Sequence, residues 1–173
     1  MPSKKENFAK YPNPYFIETG SFLGDGIRQA LDAGFDKIVS IELSDKYHQI
    51  CEFKFQNNNN VEILKGDSYK ILPSVINKIN DKITFWLDGH YSCEDTALGD
   101  HWSPLIQELD VIKSHHIKDH VIMIDDMRCW ELPNPVHGFF KDDIINKLLE
   151  INPDYKFTYE DGIEKNDILV AHI

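Results

Sequence analysis

The sequence predicts an α/β fold, a largely parallel sheet with helices on both faces. Three observations carry this. The apolar run Phe16-Ile17 ends in Glu18, three glycines follow within seven positions (Gly20, Gly24, Gly26), and helical spacing (Ile27, Ala30, Leu31) then stops at Gly34. Beyond it, short apolar runs alternate with patterns of helical period. The last two extended runs follow one another without a helix between them, which makes a hairpin.

The chain has 173 residues, enough for one domain (1–173) with a real core. Residues 1–13 are polar, flank Pro12, and read as a lead-in or lid rather than a core element. A net charge of −11 with no Lys/Arg cluster argues against a nucleic-acid partner. No apolar run reaches membrane-spanning length, and no signal core follows Met1, so a cytoplasmic protein is expected. Cys51, Cys93 and Cys129 form no C-x-x-C motif and are expected as free thiols.

The second strand is Lys37–Ile41, ending in Glu42. An acid about twenty residues past a glycine loop suits ribose hydroxyls. Ser44 is placed to cap a helix whose Tyr47, Ile50, Cys51 and Phe55 share a face. Val61–Lys65 is the third strand, followed by Gly66-Asp67-Ser68. Asp67 and Ser68 sit where a helix needs a cap. That helix places Leu72, Val75, Ile76 and Ile79 on one face and tolerates Pro73 only near its first turn.

Ile83–Leu87 is nearly all apolar, as a central strand should be, and runs into Asp88-Gly89-His90. After a polar loop from Cys93 to Trp102 that carries Glu94 and Asp95, Ser103-Pro104 opens a helix with Leu105, Leu109 and Ile112 on its buried face. His115 and His116 at its end suit the helix dipole. Val121–Ile124 is the fifth strand, ending in Asp125-Asp126. The loop from Met127 to Gly138 leads to a helix bearing Phe140, Ile144, Ile145, Leu148 and Leu149, which Asn152-Pro153 stops. Tyr155–Tyr159 and Ile168–Ile173 form the closing hairpin.

The order Glu18-x-Gly20-x-x-x-Gly24-x-Gly26 differs from the G-x-G-x-x-G of dinucleotide sites. It resembles the first motif of class I S-adenosylmethionine (SAM) dependent methyltransferases. The terminal hairpin fits the same family. The resemblance spans roughly residues 15–173. It implies a Rossmann-like doubly wound sheet of order 3-2-1-4-5-7-6 with strand 7 antiparallel. It further implies that Gly20, Ser21, Gly24 and Gly26 form the cofactor loop, with Glu18 facing the cationic methionine end. Glu42 takes the ribose, Asp67 or Ser68 reaches the adenine, and Asp88 hydrogen-bonds the cofactor.

A second constellation stands at the ends of strands four and five. Parallel neighbours lie about 4.8 Å apart, so Asp88, Asp125 and Asp126 converge. Three carboxylates together call for a positive partner, and Mg²⁺ prefers such oxygen ligands. The pattern resembles the metal-dependent O-methyltransferases of the catechol type and related sugar enzymes, in which matching acids hold Mg²⁺. Two departures stand out. The extra N-terminal helices usual in that family are missing, and no catalytic Lys lies near Asp88. Cys129 and His137 match no standard zinc spacing.

The expected activity is SAM-dependent O-methylation of a small hydroxylated acceptor, with Asp88 and His90 in the catalytic centre and His90 as candidate base. His101, Trp102, Arg128, Trp130 and His137 lie in the two long loops as candidates for the acceptor wall. A homodimer would close the open edge of so short a chain. A non-catalytic SAM- or nucleoside-binding module stays open as the alternative. A nicotinamide-dependent reductase is disfavoured by the glycine spacing and the hairpin.

Overall fold

The structure is a computed structural model that describes residues 4–93, 96–131 and 138–173. Seven strands form one sheet: β1 (Tyr15–Thr19), β2 (Lys37–Glu42), β3 (Val61–Lys65), β4 (Ile83–Leu87), β5 (Val121–Ile124), β6 (Lys156–Glu160) and β7 (Ile168–His172). Their spatial order is β3-β2-β1-β4-β5-β7-β6. The first five are parallel to one another, and β7 runs antiparallel between β5 and β6.

Alternation along β1 assigns the two faces. Ile17 joins a core with Ile41, Leu72, Phe85, Leu109 and Leu148. This face is covered by α4 (Ser68–Ile76), α5 (Leu105–Ser114) and α6 (Lys141–Ile151). Phe16 and Trp86 point the other way, onto Ile27, Ala30 and Cys51. There α1 (Lys5–Ala9), α2 (Asp25–Ala33) and α3 (Asp45–Phe55) lie. β4 is buried at every residue, as its continuous apolar sequence requires of a strand covered on both faces.

Several local expectations are corrected. The lead-in contributes to the core, because Phe8 of α1 is fully buried against Phe16 and Trp86, with ring centroids 4.8 and 5.2 Å away. Two aromatics, Phe8 and Tyr11, in a polar stretch give no periodic signal, so the sequence did not reveal it. Ser44 and Asp67 occupy N-cap positions, but neither side chain makes a capping bond. α5 starts one residue later than expected, with Pro104 at its N-cap. Pro73 sits in the second turn of α4, beyond the place where the missing N–H costs nothing.

His115 does not serve the helix dipole. It is buried, and its Nδ1 lies 2.8 Å from His120 Nε2. The Ile83 N–H donates to His120 Nδ1 at 3.1 Å, so His120 carries its proton on Nε2 and donates it to His115. His115 then donates from Nε2 to the Ile79 carbonyl, 3.1 Å away. Every ring nitrogen is satisfied with both rings neutral. Burial lowers the pKa of both, that of His120 to about 4.

Candidate functional site

The carboxyl ends of β1, β2, β4 and β5 are stitched together by backbone bonds. Gly20 N–H donates to Ile41 O, Asp88 N–H to Thr19 O, and Asp125 N–H to Leu87 O, at 2.9, 3.1 and 3.2 Å. Beyond these ends lies a cavity of about 260 Å³. Gly20, Glu42, Asp67, Ser68, Asp88, His90, Asp125 and Asp126 all line it. Eight of the residues singled out in the sequence thus meet in one space.

The glycine loop is shaped by the protein's own packing. At Gly20, with φ +85°, a Cβ would fall 2.4 Å from the Asp88 carbonyl oxygen. At Gly26 it would fall 1.8 Å from Glu18 Oε1. These glycines therefore let the ends of β1 and β4 approach each other and seat α2 over a buried acid. Ser21, Gly24, Gly26 and Glu18 are not among the residues lining the cavity. Glu18 is 2 % exposed and accepts a 2.5 Å hydrogen bond from Ser40, whose hydroxyl lies 2.5 Å from that of Ser21. Burial pushes the Glu18 carboxyl up to about 8. It props the loop from beneath.

Glu42 is held by two backbone donors. Phe22 N–H reaches Oε2 at 2.8 Å and Ser44 N–H reaches Oε1 at 2.7 Å. Phe22 adopts φ +45° and packs on Tyr47 with centroids 4.4 Å apart, forming one lip of the cavity. Leu43, Ala97 and Gly99 also line the cavity. A Cβ at Gly99 would come within 2.9 Å of Asp67 Oδ2 and 3.1 Å of Leu43. Here Leu43 and Gly99 pack together and set apolar lining beside the Asp67 carboxylate.

The acid cluster occupies the other end. Ligand oxygens of Asp88, Asp125 and Asp126 lie within 4.8 Å of one another. Asp125 is 2 % exposed, and among the described residues neither of its carboxylate oxygens has a hydrogen-bond partner. Burial and the neighbouring Asp126 push it up to about 8. Burial and Asp125 likewise raise Asp88 well above the usual carboxylate range. Burial also works against ionised Asp126, but His90 and Arg128 outweigh it and hold that carboxyl low. Arg128 Nη1 lies 2.6 Å from Asp126 Oδ1 and also pairs with buried Asp167. His90 bridges the cluster, with Nε2 3.2 Å from Asp126 and Nδ1 3.5 Å from Asp88. Asp126 itself has φ +56°, a left-handed conformation that Asp tolerates better than most residues. That turn aims its carboxylate back at His90.

The orphaned Asp125 carboxylate and the converging oxygens fit a hard divalent cation, which would supply the missing partner. His90, Asp126 and Cys129 also bring one ligand atom each within 4.8 Å of one another, a nitrogen and sulfur set that the spacing in sequence did not suggest.

The expected acceptor wall is only partly assembled. His101 lines the cavity. Trp130 is buried, stacks on Phe139 at 4.9 Å and meets the His90 ring edge-on at 6.1 Å, so it backs His90. Trp102 packs against Tyr91, which does line the cavity. Arg128 is tied to Asp126 and Asp167. His137, Glu94 and Asp95 lie outside the described residues.

Two residues near the site went unremarked in the sequence. Ile163, on the β6–β7 turn, lines the cavity although it is an exposed apolar side chain. Glu108 of α5 is 1 % exposed and accepts a hydrogen bond from Ser68. A Cβ on Gly89 would fall 3.3 Å from Glu108 Oε1 and 3.3 Å from Thr19 Oγ1. Burial pushes Glu108 up to about 7, against the opposing pull of the Ser68 bond.

No protein-family model matches the sequence, and no curated protein is significantly similar to it. Solved structures do match in shape. The S-adenosylhomocysteine (SAH) bound methyltransferase PaMTH1 of Podospora anserina aligns over 97% of this chain and 73% of its own, at 14% identity and TM-score 0.64. The O-methyltransferase TomG of Streptomyces achromogenes, in complex with SAM, aligns over 98% and 77%, at 12% identity and TM-score 0.64. The chain has the class I methyltransferase fold. A protein provisionally described as an rRNA methylase from Clostridium thermocellum, 13% identical and with TM-score 0.59, shares this fold over 96% of this chain and 92% of its own. Among the described residues no helix is long and apolar enough to cross a membrane.

Proposed function

We propose that the protein is a SAM-dependent methyltransferase that methylates a hydroxyl oxygen of a small acceptor, with a divalent cation such as Mg²⁺ held by Asp88, Asp125 and Asp126. The observation that carries this reading is that one cavity joins the Gly20–Glu42–Asp67 rim to the acid cluster. A ligand lying along the rim would present its far end to the acids.

When bound, SAM supplies an electrophilic methyl group and the cation lowers the acceptor hydroxyl's pKa. The chain's own residues do the rest. Glu42, fixed by two backbone N–H groups, is pre-set to accept from ribose hydroxyls. Asp67, with no cap bond to make, is available to the adenine amine. Asp88 stands between the two ends, able to contact the cofactor or the cation. His90 Nδ1 takes the acceptor's proton, while its Nε2–H donates to Asp126 at 3.2 Å, which stabilises the imidazolium. Methyl transfer is an in-line displacement, so most of the acceleration comes from positioning.

Calorimetric titration with SAH, with and without Mg²⁺, tests the reading. SAH binding is expected, together with Mg²⁺ binding that the double variant Asp125→Asn/Asp126→Asn loses. Metal-dependent turnover that survived this double change would remove the cation from the mechanism. Arg128, 2.6 Å from Asp126, would then be the cation that balances the cluster. SAH binding without methyl transfer to any sugar, phenol or RNA acceptor would leave a cofactor-binding module.

A further inference from the structure

Glu108 is a buried acid that the proposed chemistry does not use. It belongs to α5, yet its carboxyl reaches across to the first residue of α4, where Ser68 donates its hydroxyl proton to Oε1. Ser68 has one proton to give. With that proton turned inward, the oxygen keeps only lone pairs for the cavity that Ser68 lines. Asp67, the adjacent lining residue, makes no cap bond and offers a carboxylate. The part of the cavity lined by Leu43, Ala97 and Gly99 therefore meets acceptors at both positions.

We propose that Glu108 is a positioning residue for cofactor specificity: by fixing the direction of the Ser68 hydroxyl, it makes the base site select a 6-aminopurine over a 6-oxopurine. This rests on the cofactor reading above. An exocyclic amine donates to both acceptors. A 6-oxo group would set its own lone pairs against them, and sites built for one hydrogen-bond polarity reject the other strongly. Without Glu108 the Ser68 hydroxyl is free to turn and donate, and the site would serve either base.

The test compares SAH with its deaminated analogue, S-inosylhomocysteine, by calorimetric dissociation constants. It is run at pH 8, above the value of about 7 to which burial raises Glu108, so that the carboxylate is the acceptor. The unmodified protein is expected to favour SAH by about 30-fold or more, the size of one or two mismatched buried hydrogen bonds. Glu108→Gln keeps an acceptor oxygen and should hold the ratio within about threefold. Glu108→Met and Ser68→Ala should each shrink it by about tenfold, and combining them should shrink it no further. A Glu108→Met protein that binds both ligands more weakly at an unchanged ratio overturns the proposal, because Glu108 would then only support the fold. Should Glu108→Met fail to fold, an unchanged ratio in Ser68→Ala does the same. Failure of the unmodified protein to bind SAH would overturn the cofactor reading, and this inference with it.

Discussion

At the scale of single residues, the site concentrates unfavourable groups in a few places. Asp125 carries a large local burden, a carboxyl that is 2 % exposed and whose oxygens find no hydrogen-bond partner among the described residues. In the folded chain it holds its proton to about 8, against an ordinary value of 3.8. Between these values the unfolded chain is the one that has lost the proton. Without a cation, the contribution of Asp125 to stability should therefore be greatest in acid and be lost as pH rises through 4 to 8. Asp125→Asn is expected to stabilise the cation-free protein by on the order of 2 kcal/mol at pH 8 and by little at pH 4, read from urea midpoints. The same variant should lose any stabilisation by Mg²⁺. The glycines give a second prediction. Gly26→Ala forces a Cβ to within 1.8 Å of Glu18 Oε1. It should cost about 1–3 kcal/mol by overpacking, and Glu18→Gln should not relieve it, since the amide fills the same space.

At the scale of elements, the two ends of β4 do different work. The carboxyl end feeds Asp88 into the cavity, while the start is clamped by the His115–His120 pair through the Ile83 N–H. His120→Ala leaves a buried N–H without an acceptor and should cost about 1–3 kcal/mol, with SAH affinity unchanged. The pair also sets an acid limit. Burial depresses the folded-state pKa of His120 to about 4, so its contribution is complete above the unfolded value near 6.5 and is lost as pH falls toward 4. His120→Ala should flatten that acid limb in a pH series of thermal melts. Most elements were legible in the sequence because continuous apolar strands and helical periods read without ambiguity. What escaped depended on pairings that only folding creates. His115 and His120 face each other around the turn from α5 into β5, and Arg128 finds Asp167 across 39 positions. Glu108 did leave a signal. Leu105, Glu108, Leu109 and Ile112 fall at i, i+3, i+4 and i+7, so the charge lies on the buried face. The direction of Glu18 could not be read, since a strand-end acid looks the same whether it faces a ligand or a neighbouring serine.

At the scale of the whole molecule, one cavity spans the edge where four strands end, so its occupant should brace the entire parallel half of the sheet. At 100 times its dissociation constant a ligand adds about 2.7 kcal/mol. For a chain of this size that is about 5–11 °C in melting temperature. SAH is expected to produce that shift, whereas NAD at equal concentration should produce none. A thermal melt series distinguishes the two directly.

The placement of β7 bears on how the protein is made. β6 has β7 as its sheet neighbour, and β7 fills the lane between it and β5. On the ribosome β6 therefore emerges into solution with no strand to join. Until residues 168–172 follow, Ile122, Met123 and Ile124 border an open lane rather than a finished sheet. Unpaired strand edges invite association between chains. The interval between synthesis of β5 and arrival of β7 is thus the period of greatest vulnerability, and the half-finished sheet is the species on which a chaperone would act.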